Sequence, residues 1–184
     1  YVDLDWKPGA TDAVLERVGR CVALEQLYLK GTPGSDAGLA HLANCRGLRI
    51  VDLFRTGVGD AGIAHLKDCS QLKELHLYNT KVRGPGLAAL KDCKKIELVG
   101  LNVTPVTDDD LASLLAFPVL KKLTLAFTNV GDAGLAHLRG CPSLAVLDLD
   151  GTRVTDAGLS RLKEIKTLTR IDLKKTRVSA SGVA

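Results

Sequence analysis

Three of the four histidines stand four residues before a cysteine, a spacing that brings both side chains to one side of a helix. The pairs are His41–Cys45, His65–Cys69 and His137–Cys141. A thiolate beside an imidazole forms a catalytic dyad in some enzymes, and both groups are zinc ligands. Whether these pairs form a dyad or bind zinc depends on which side chains face the core and which face the solvent.

The chain repeats itself every 24 residues without a gap from Leu24 to its end. The frames begin at Leu24, Leu48, Leu72, Ile96, Leu120, Leu144 and Leu168. Positions one, four and six are apolar in every frame, and the alternation of four and six predicts a short strand with one buried face. Apolar residues at positions sixteen, nineteen and twenty-two predict a short helix. Such units predict a solenoid of parallel strands joined by right-handed crossovers.

The frame L-x-x-L-x-L-x-x-T-x-V-x-D-x-G-L-x-x-L-x-x-C resembles the leucine-rich repeat. The segments TNVGDAGLAHL at 128–138 and TRVTDAGLSRL at 152–162 resemble the T-x-V-T-D-A-G-L-A-H-L repeats of large bacterial proteins. The pattern is also similar to the ribonuclease-inhibitor-like and cysteine-containing subclasses. The resemblance implies an α/β solenoid with a curved parallel sheet on its concave face and short helices on its convex face. We expect an N-terminal capping coil at 1–23 and seven repeats at 24–184, the last incomplete.

The period assigns the histidines and cysteines to different faces. Four cysteines occupy position twenty-two, and Cys21 fits the same column one coil earlier. Phe117 and Ile165 fill that column in the other repeats, so it is an apolar core column in which a free thiol packs as a small hydrophobe. The histidines fall at position eighteen, beside the buried stripe, and are expected on the outer face. We therefore expect five buried, reduced thiols, which is typical of a cytoplasmic protein, with no metal site and no cofactor.

Three further columns are expected to serve the fold. Position nine is Thr in all seven repeats, which favours a hydroxyl that satisfies main-chain groups where the chain leaves the strand. Position thirteen is Asp in five repeats, where a helix N-terminus favours an acceptor. Position fifteen is Gly in six repeats, which indicates that the neighbouring coil approaches too closely for a Cβ atom. Asp110 interrupts this column, so the fourth repeat is expected to be looser or shifted.

The composition excludes several classes of function. A net charge of +4, from 25 basic and 21 acidic residues, is too weak and too mixed to indicate nucleic-acid binding. The basic residues at position twenty have Asp68, Asp92 and Glu164 beside them, which cancels most of their field. No apolar stretch approaches the roughly 20 residues of a membrane-spanning helix. The absence of a nucleophile elbow, a phosphate-binding glycine loop and a carboxylate pair argues against an enzyme.

Function is expected on the concave face, where positions three, five, seven and eight vary between repeats and the fold makes no demand. Four of the seven aromatic residues fall on these positions, and Trp6 is a further candidate from the capping coil. The candidate partner-binding residues are Tyr28, Asp52, Phe54, Arg55, His76, Tyr78, Phe127, Asp148 and Asp150. The alternative is that Tyr and Phe occur there only because they favour strands.

These features predict a non-catalytic module that binds a partner protein on its concave face, within a larger bacterial polypeptide. The alternative is the substrate-recognition or regulatory arm of a larger bacterial enzyme, such as a protein kinase, whose catalytic domain lies outside the chain. Ile171, Leu173 and Val178 are expected near an open apolar edge at the C-terminal end. We therefore expect weak self-association or fraying of the last coil.

Overall fold

Eight short strands follow one another along the chain in the computed structural model, which describes residues 1–183. The strands are β1 Val2–Asp3, β2 Gln26–Tyr28, β3 Ile50–Asp52, β4 Glu74–His76, β5 Leu98–Gly100, β6 Lys122–Thr124, β7 Val146–Asp148 and β8 Arg170–Asp172. From β2 onward each strand covers positions three to five of its frame. The central residue of each of these strands up to β7 is buried, as the apolar alternation predicts.

The strands form one open parallel sheet in the order β1 to β8. Each strand pairs in register with the next, so that Leu27 lies beside Val51 and Val51 beside Leu75. Equivalent positions therefore form straight rows across the sheet. The leading residues join this arrangement, because β1 pairs with β2 and is followed by a helix of its own.

A helix returns the chain from each strand to the next. The α-helices are Asp12–Val18, Asp36–Ala40, Asp60–Ala64, Gly84–Ala89, Asp132–Leu138, Asp156–Leu162 and Ala180–Val183, and a 3-10 helix spans Asp109–Ala116. Their buried leucines pack against the apolar side of the sheet and form one continuous core. The other side of the sheet carries no helix in the described part of the chain. We call it the sheet face.

The threonine column serves the backbone, as expected. In all seven repeats the hydroxyl donates to the carbonyl oxygen three residues earlier, at 2.6 to 2.8 Å. Thr80, for example, donates to Leu77 and is only 6% exposed. Each hydroxyl closes the turn by which the chain leaves the strand.

The aspartate and glycine columns act together between coils. Each Asp is the first residue of its helix, or in the case of Asp108 the residue just before it, and its carboxylate accepts the backbone N–H at position twelve of the next coil. The six pairs are Asp12–Ser35, Asp36–Gly59, Asp60–Arg83, Asp108–Gly131, Asp132–Thr155 and Asp156–Ser179, at 2.6 to 2.9 Å. We call this series the carboxylate ladder. These Asp residues lie at helix N-termini, as the sequence predicts, but the N–H that each carboxylate accepts belongs to the neighbouring coil.

Position-fifteen glycines make room for the carboxylate ladder. A Cβ atom on Gly62 would lie 2.5 Å from Asp36 Oδ1, and one on Gly86 would lie 2.6 Å from Asp60 Oδ1. Real Cβ atoms do not approach so closely. The neighbouring coil therefore excludes a Cβ atom, as the glycine column predicts.

The fourth repeat departs from the others, and it is the repeat in which Asp110 replaces the glycine. Its helix is 3-10 rather than α. Asp110 accepts the N–H of Gly84 at 3.0 Å and that of Thr107 at 2.8 Å. Burial by itself would raise the pKa of Asp110, but these amides, the Thr107 hydroxyl and the Arg83 guanidinium lower it below its usual value.

Burial separates the cysteines into two groups. Cys45, Cys69 and Cys93 are fully buried and Cys141 is 2% exposed, whereas Cys21 is exposed. The expectation of five buried thiols was therefore wrong for Cys21, which belongs to the first coil of the described residues and has no described coil packed over it. Desolvation raises the pKa of Cys69 to about 12 and the pKa of Cys141 to about 11.

The histidines at position eighteen lie away from the core. His41 and His65 are exposed and His137 is partly exposed, while the cysteines four residues later are buried. Within residues 1–183, no group of three or more His, Cys, Asp or Glu side chains is placed to hold a metal ion. No helix described in this structure is long and apolar enough to cross a membrane.

The final described coil is the least covered. Ile171 and Leu173 are only partly buried, whereas Leu147 and Leu149 at the same positions of the preceding coil are fully buried. Leu162, Ile165 and other apolar side chains line a depression of about 580 Å³ beside them.

The thiols provide a direct test of this packing. We expect one thiol, Cys21, to react rapidly with a maleimide under native conditions, and the other four to react only after denaturation, because burial keeps them protonated. Mass spectrometry of peptides from a timed labelling reaction distinguishes the sites. Rapid labelling of Cys69 or Cys93 in the folded protein would contradict the structure.

Candidate functional site

Side chains at positions three, five and seven project from the sheet face. The register places residues of one position side by side, so that Asp52, His76 and Gly100 form one row and Phe54, Tyr78 and Asn102 the next. Adjacent members of a row are about 5 Å apart between their backbones. Residues that are 24 apart in the chain therefore form one surface.

Four ring-bearing side chains on this surface form an aromatic cluster, which consists of Trp6, Phe54, Tyr78 and His76. The ring centroids of Trp6 and Phe54 are 6.0 Å apart, with planes inclined at 75°. Phe54 and Tyr78 are 6.4 Å apart at 69°, and Tyr78 and His76 are 5.8 Å apart at 55°. The first two contacts are edge-to-face, an arrangement that aromatic pairs favour, and the third is tilted.

Two glycines create the space for the cluster. The Trp6 ring lies over Gly31, and the Tyr78 ring lies over Gly100, so that a Cβ atom at either glycine would overlap the ring. Gly31 also has a φ of +62°, a conformation that glycine adopts without steric cost. Each ring thus fills a place that the adjoining coil leaves empty.

Tyr28 lies outside this cluster, although its position in the sequence resembles that of the other rings. Its hydroxyl is 3.5 Å from Gln26 Oε1, and the Lys30 ammonium lies 5.7 Å from its ring centroid. The ring that contacts Phe54 from the preceding strand side is instead Trp6, the further candidate from the capping coil. In the sequence, the glycine at position eight of the next coil, Gly31, is the residue that leaves room for the Trp6 ring.

Position eight has a conformation of its own. Trp6, Arg55, Asn79, Val103, Phe127 and Lys175 all have φ between +52° and +59°, and Gly31 and Gly151 share this left-handed region. The expectation that the fold makes no demand at position eight was wrong. The chain must turn there to leave the sheet. The left-handed conformation of this turn is energetically unfavourable for the six residues that are not glycine.

Arg55 and Phe127 therefore lie along the edge of the sheet face rather than at its centre. Phe127 is 51% exposed, covers Gly151 and has the Lys175 ammonium 4.8 Å from its ring centroid. Phe127 lies three strand spacings from Phe54, which corresponds to roughly 14 Å. Phe127 is thus separate from the aromatic cluster.

Asp52 is a supporting residue of the cluster. It is only 6% exposed, accepts the backbone N–H of Phe54 at 3.0 Å and lies 3.4 Å from the Lys30 ammonium. Burial by itself would lower the pKa of Lys30, but the carboxylates of Asp52 and Asp5 outweigh it and raise that pKa. Asp52 orients the Phe54 backbone and has little surface left for a partner.

The remaining carboxylates lie at the other end of the sheet face. Asp148 and Asp172 are adjacent in the position-five row, and Asp150 lies at position seven. Asp172 pairs with Lys174 at 3.0 Å, and Asp150 pairs with Lys175 at 3.7 Å. The amide and ammonium of Lys174 lower the pKa of Asp172. Two of these three charges are therefore already balanced by lysines.

Comparison with known proteins places this geometry in a recognised class. A family model described as Leucine Rich repeat matches residues 140–163. The structure superimposes on internalin C2 from Listeria monocytogenes with a TM-score of 0.73 at 19% identity, covering 99% of this chain and 74% of that one. The fold is a leucine-rich repeat solenoid.

Two further solved structures share the solenoid. An internalin (inlF) from Listeria monocytogenes matches with a TM-score of 0.62 at 18% identity, over 85% of this chain and 50% of its own. The plant peptide hormone receptor RGFR1, solved in complex with RGF2, matches with a TM-score of 0.58 at 12% identity, over 89% and 30%. The chain thus spans half or less of these two proteins. The comparison with curated protein sequences found no match.

The contact between Trp6 and Gly31 is testable by fluorescence, because Trp6 is the only tryptophan. Trp6 is 55% exposed, and Gly31→Ala introduces a Cβ atom where its ring lies, so we expect the ring to become more exposed and its emission maximum to shift to longer wavelength. Gly151→Ala is the matched control, because it has a similar φ of +66° but lies beneath Phe127. An unchanged spectrum in folded Gly31→Ala would contradict the arrangement.

Proposed function

We propose that the chain is a non-catalytic module that binds a partner protein on the sheet face, with the aromatic cluster as its principal contact. The observation that carries this proposal is the chain of contacts from Trp6 through Phe54 to Tyr78 on a face that no described element covers. Rigid aromatic side chains lose little conformational entropy on binding and dominate protein interfaces.

The chemistry of the sheet face supports binding rather than catalysis. Several of its titratable groups pair with one another, as in His76 with Glu74 at 3.3 Å and Lys30 with Asp52 at 3.4 Å. No cysteine occupies positions three, five, seven or eight. RGFR1, a peptide hormone receptor solved with its peptide, shows that a protein of this fold binds a polypeptide ligand.

Aromatic truncation tests the proposal. We expect Phe54→Ala and Tyr78→Ala to weaken partner binding by about 2 kcal/mol each, or roughly 30-fold in affinity. Each substitution removes a ring and the contact area that this ring offers to the partner. The immobilised chain is incubated with a lysate of the source cells, and captured proteins are quantified by mass spectrometry.

His65→Ala is the matched control, because His65 is exposed on the helical side of the solenoid. We expect it to capture the same proteins as the unmodified chain. Thermal unfolding of each variant verifies that the fold is retained. Loss of capture in His65→Ala, with full capture by Phe54→Ala, would place the binding surface on the helical side and refute the proposal.

We also propose weak self-association of this chain through the apolar edge of the last described coil. The partial exposure of Ile171 and Leu173 beside a depression of about 580 Å³ supports it. Such an edge also presents unpaired backbone groups of β8. Association of this kind appears as a sedimentation coefficient that rises with protein concentration.

A further inference from the structure

A depression of about 270 Å³ lies on the sheet face between the aromatic cluster and the C-terminal strands. Tyr78 lines one side of it, and Thr124, Asp148 and Asp172 line its floor. The register brings Thr124 beside Asp148 and Asp148 beside Asp172. Lys122 and Arg170, both exposed, stand in the position-three row at its rim.

Thr124 has a buried hydroxyl that contacts no hydrogen-bond partner among the described residues. The side chain is only 5% exposed, so bulk water does not readily replace the missing partner. Buried polar groups in folded proteins are almost always paired, and an unpaired one lowers stability. A hydroxyl retained here at the floor of a depression indicates a hydrogen bond that a ligand completes.

Asp148 is the second incomplete group. Its Oδ1 accepts the backbone N–H of Asp150 at 3.0 Å, which leaves Oδ2 for another donor. Asp52, Asp150 and Asp172 each have a lysine within 4 Å. No such cation accompanies Asp148 among residues 1–183. Asp148 is thus an uncompensated carboxylate beside an unpaired hydroxyl.

The two groups require one ligand chemistry. Both accept hydrogen bonds, and one carries a negative charge, so the complementary group is a positively charged donor. The guanidinium of arginine and the ammonium of lysine are the only such groups that a protein carries at every pH near neutrality. The exposed cations of Lys122 and Arg170 remain free to extend into solvent or to pair with acidic residues that flank the bound side chain.

We propose that this depression binds an arginine or lysine side chain of the partner protein, with Asp148 as the counter-charge and Thr124 as a hydrogen-bond acceptor. The inference rests on the proposed function, since it specifies which chemistry the partner presents to the sheet face. Tyr78 belongs to both the aromatic cluster and the depression. The partner segment therefore presents an apolar residue close to a basic one.

Small blocked amino acids test the depression without knowledge of the partner. N-acetyl-arginine amide is titrated into the ¹⁵N-labelled chain at millimolar concentration, and amide chemical shifts are followed. N-acetyl-citrulline amide, a neutral analogue of the same shape, and N-acetyl-aspartate amide are titrated in parallel. We expect saturable shifts at Thr124, Asp148 and Asp172 with the arginine probe, and affinity at least about tenfold lower for citrulline.

Two substitutions connect the probe to the proposed groups. Asp148→Asn keeps an oxygen for the Asp150 amide but removes the charge, and we expect about tenfold weaker binding of the arginine probe. Asp3→Asn is the matched control, because Asp3 also occupies position five and accepts the amide two residues later, at 3.0 Å. It is expected to leave probe binding unchanged.

Thr124→Val separates a binding role from a structural one. Valine has the same shape without the hydroxyl, so we expect a higher melting temperature together with weaker probe binding. If Thr124 had only a structural role, its replacement by valine would stabilise the protein without lowering its affinity for the probe. Unchanged probe affinity in this variant overturns the role of Thr124.

Preferred binding of the aspartate probe, equal binding of arginine and citrulline, or no shifts at the three floor residues overturns the proposal. The proposed function fails separately. If Phe54→Ala abolishes capture while the arginine probe does not bind, the sheet face binds a partner but the inferred chemistry is wrong. If the probe binds while substitutions on the sheet face leave capture intact, the depression is real but the partner binds elsewhere.

Discussion

The carboxylate ladder is the interaction on which the stacking of this solenoid depends. A single coil cannot bury its apolar side chains alone, so stability requires neighbours at a constant separation and in a constant register. Each ladder Asp accepts an amide of the next coil at 2.6 to 2.9 Å, and the glycine of that coil admits it. The charge also lies at the N-terminus of its own helix, where the helix dipole stabilises it.

Regular stacking is also what creates the binding surface. Phe54 and Tyr78 come from different repeats, and their rings meet only because β3 and β4 pair in register. The same holds for Thr124 and Asp148 at the depression. The ladder on the helical side therefore determines which side chains are neighbours on the sheet face, although it contacts none of them.

The period of the apolar residues was sufficient to predict the seven strands β2 to β8, because one buried column at a constant spacing permits only one stacking register. The close approach at the glycine column was also predictable. Glycine is unfavourable in a helix, so its recurrence at one position indicates that the neighbouring coil leaves no room for a side chain. The left-handed turn at position eight was not predictable from the sequence. Six of the eight residues there are not glycine, so the composition of the column does not indicate a positive φ. The ring contacts depend on side-chain directions, which is why Trp6 rather than Tyr28 joins Phe54.

The fourth repeat shows how strongly the ladder is required. At position thirteen of the third repeat stands Gly84, which has no carboxylate, and at position fifteen of the fourth stands Asp110 in place of glycine. A Cβ atom on Gly84 would lie 2.6 Å from Asp110 Oδ1. At this junction the glycine is in the earlier coil and the aspartate in the later one, the reverse of the other junctions. Asp110 accepts the backbone N–H of Gly84 in the earlier coil and that of Thr107 in its own coil.

A double-mutant cycle on this exchanged pair tests the role of the ladder most directly. Urea unfolding is measured for Gly84→Asp, Asp110→Gly and the double variant. Each single change should lower the free energy of unfolding by about 2 kcal/mol, through crowding in one case and unpaired amides in the other. The double variant restores the regular order of Asp and Gly, so its loss should be less than about 1 kcal/mol. Losses that simply add in the double variant would contradict the account.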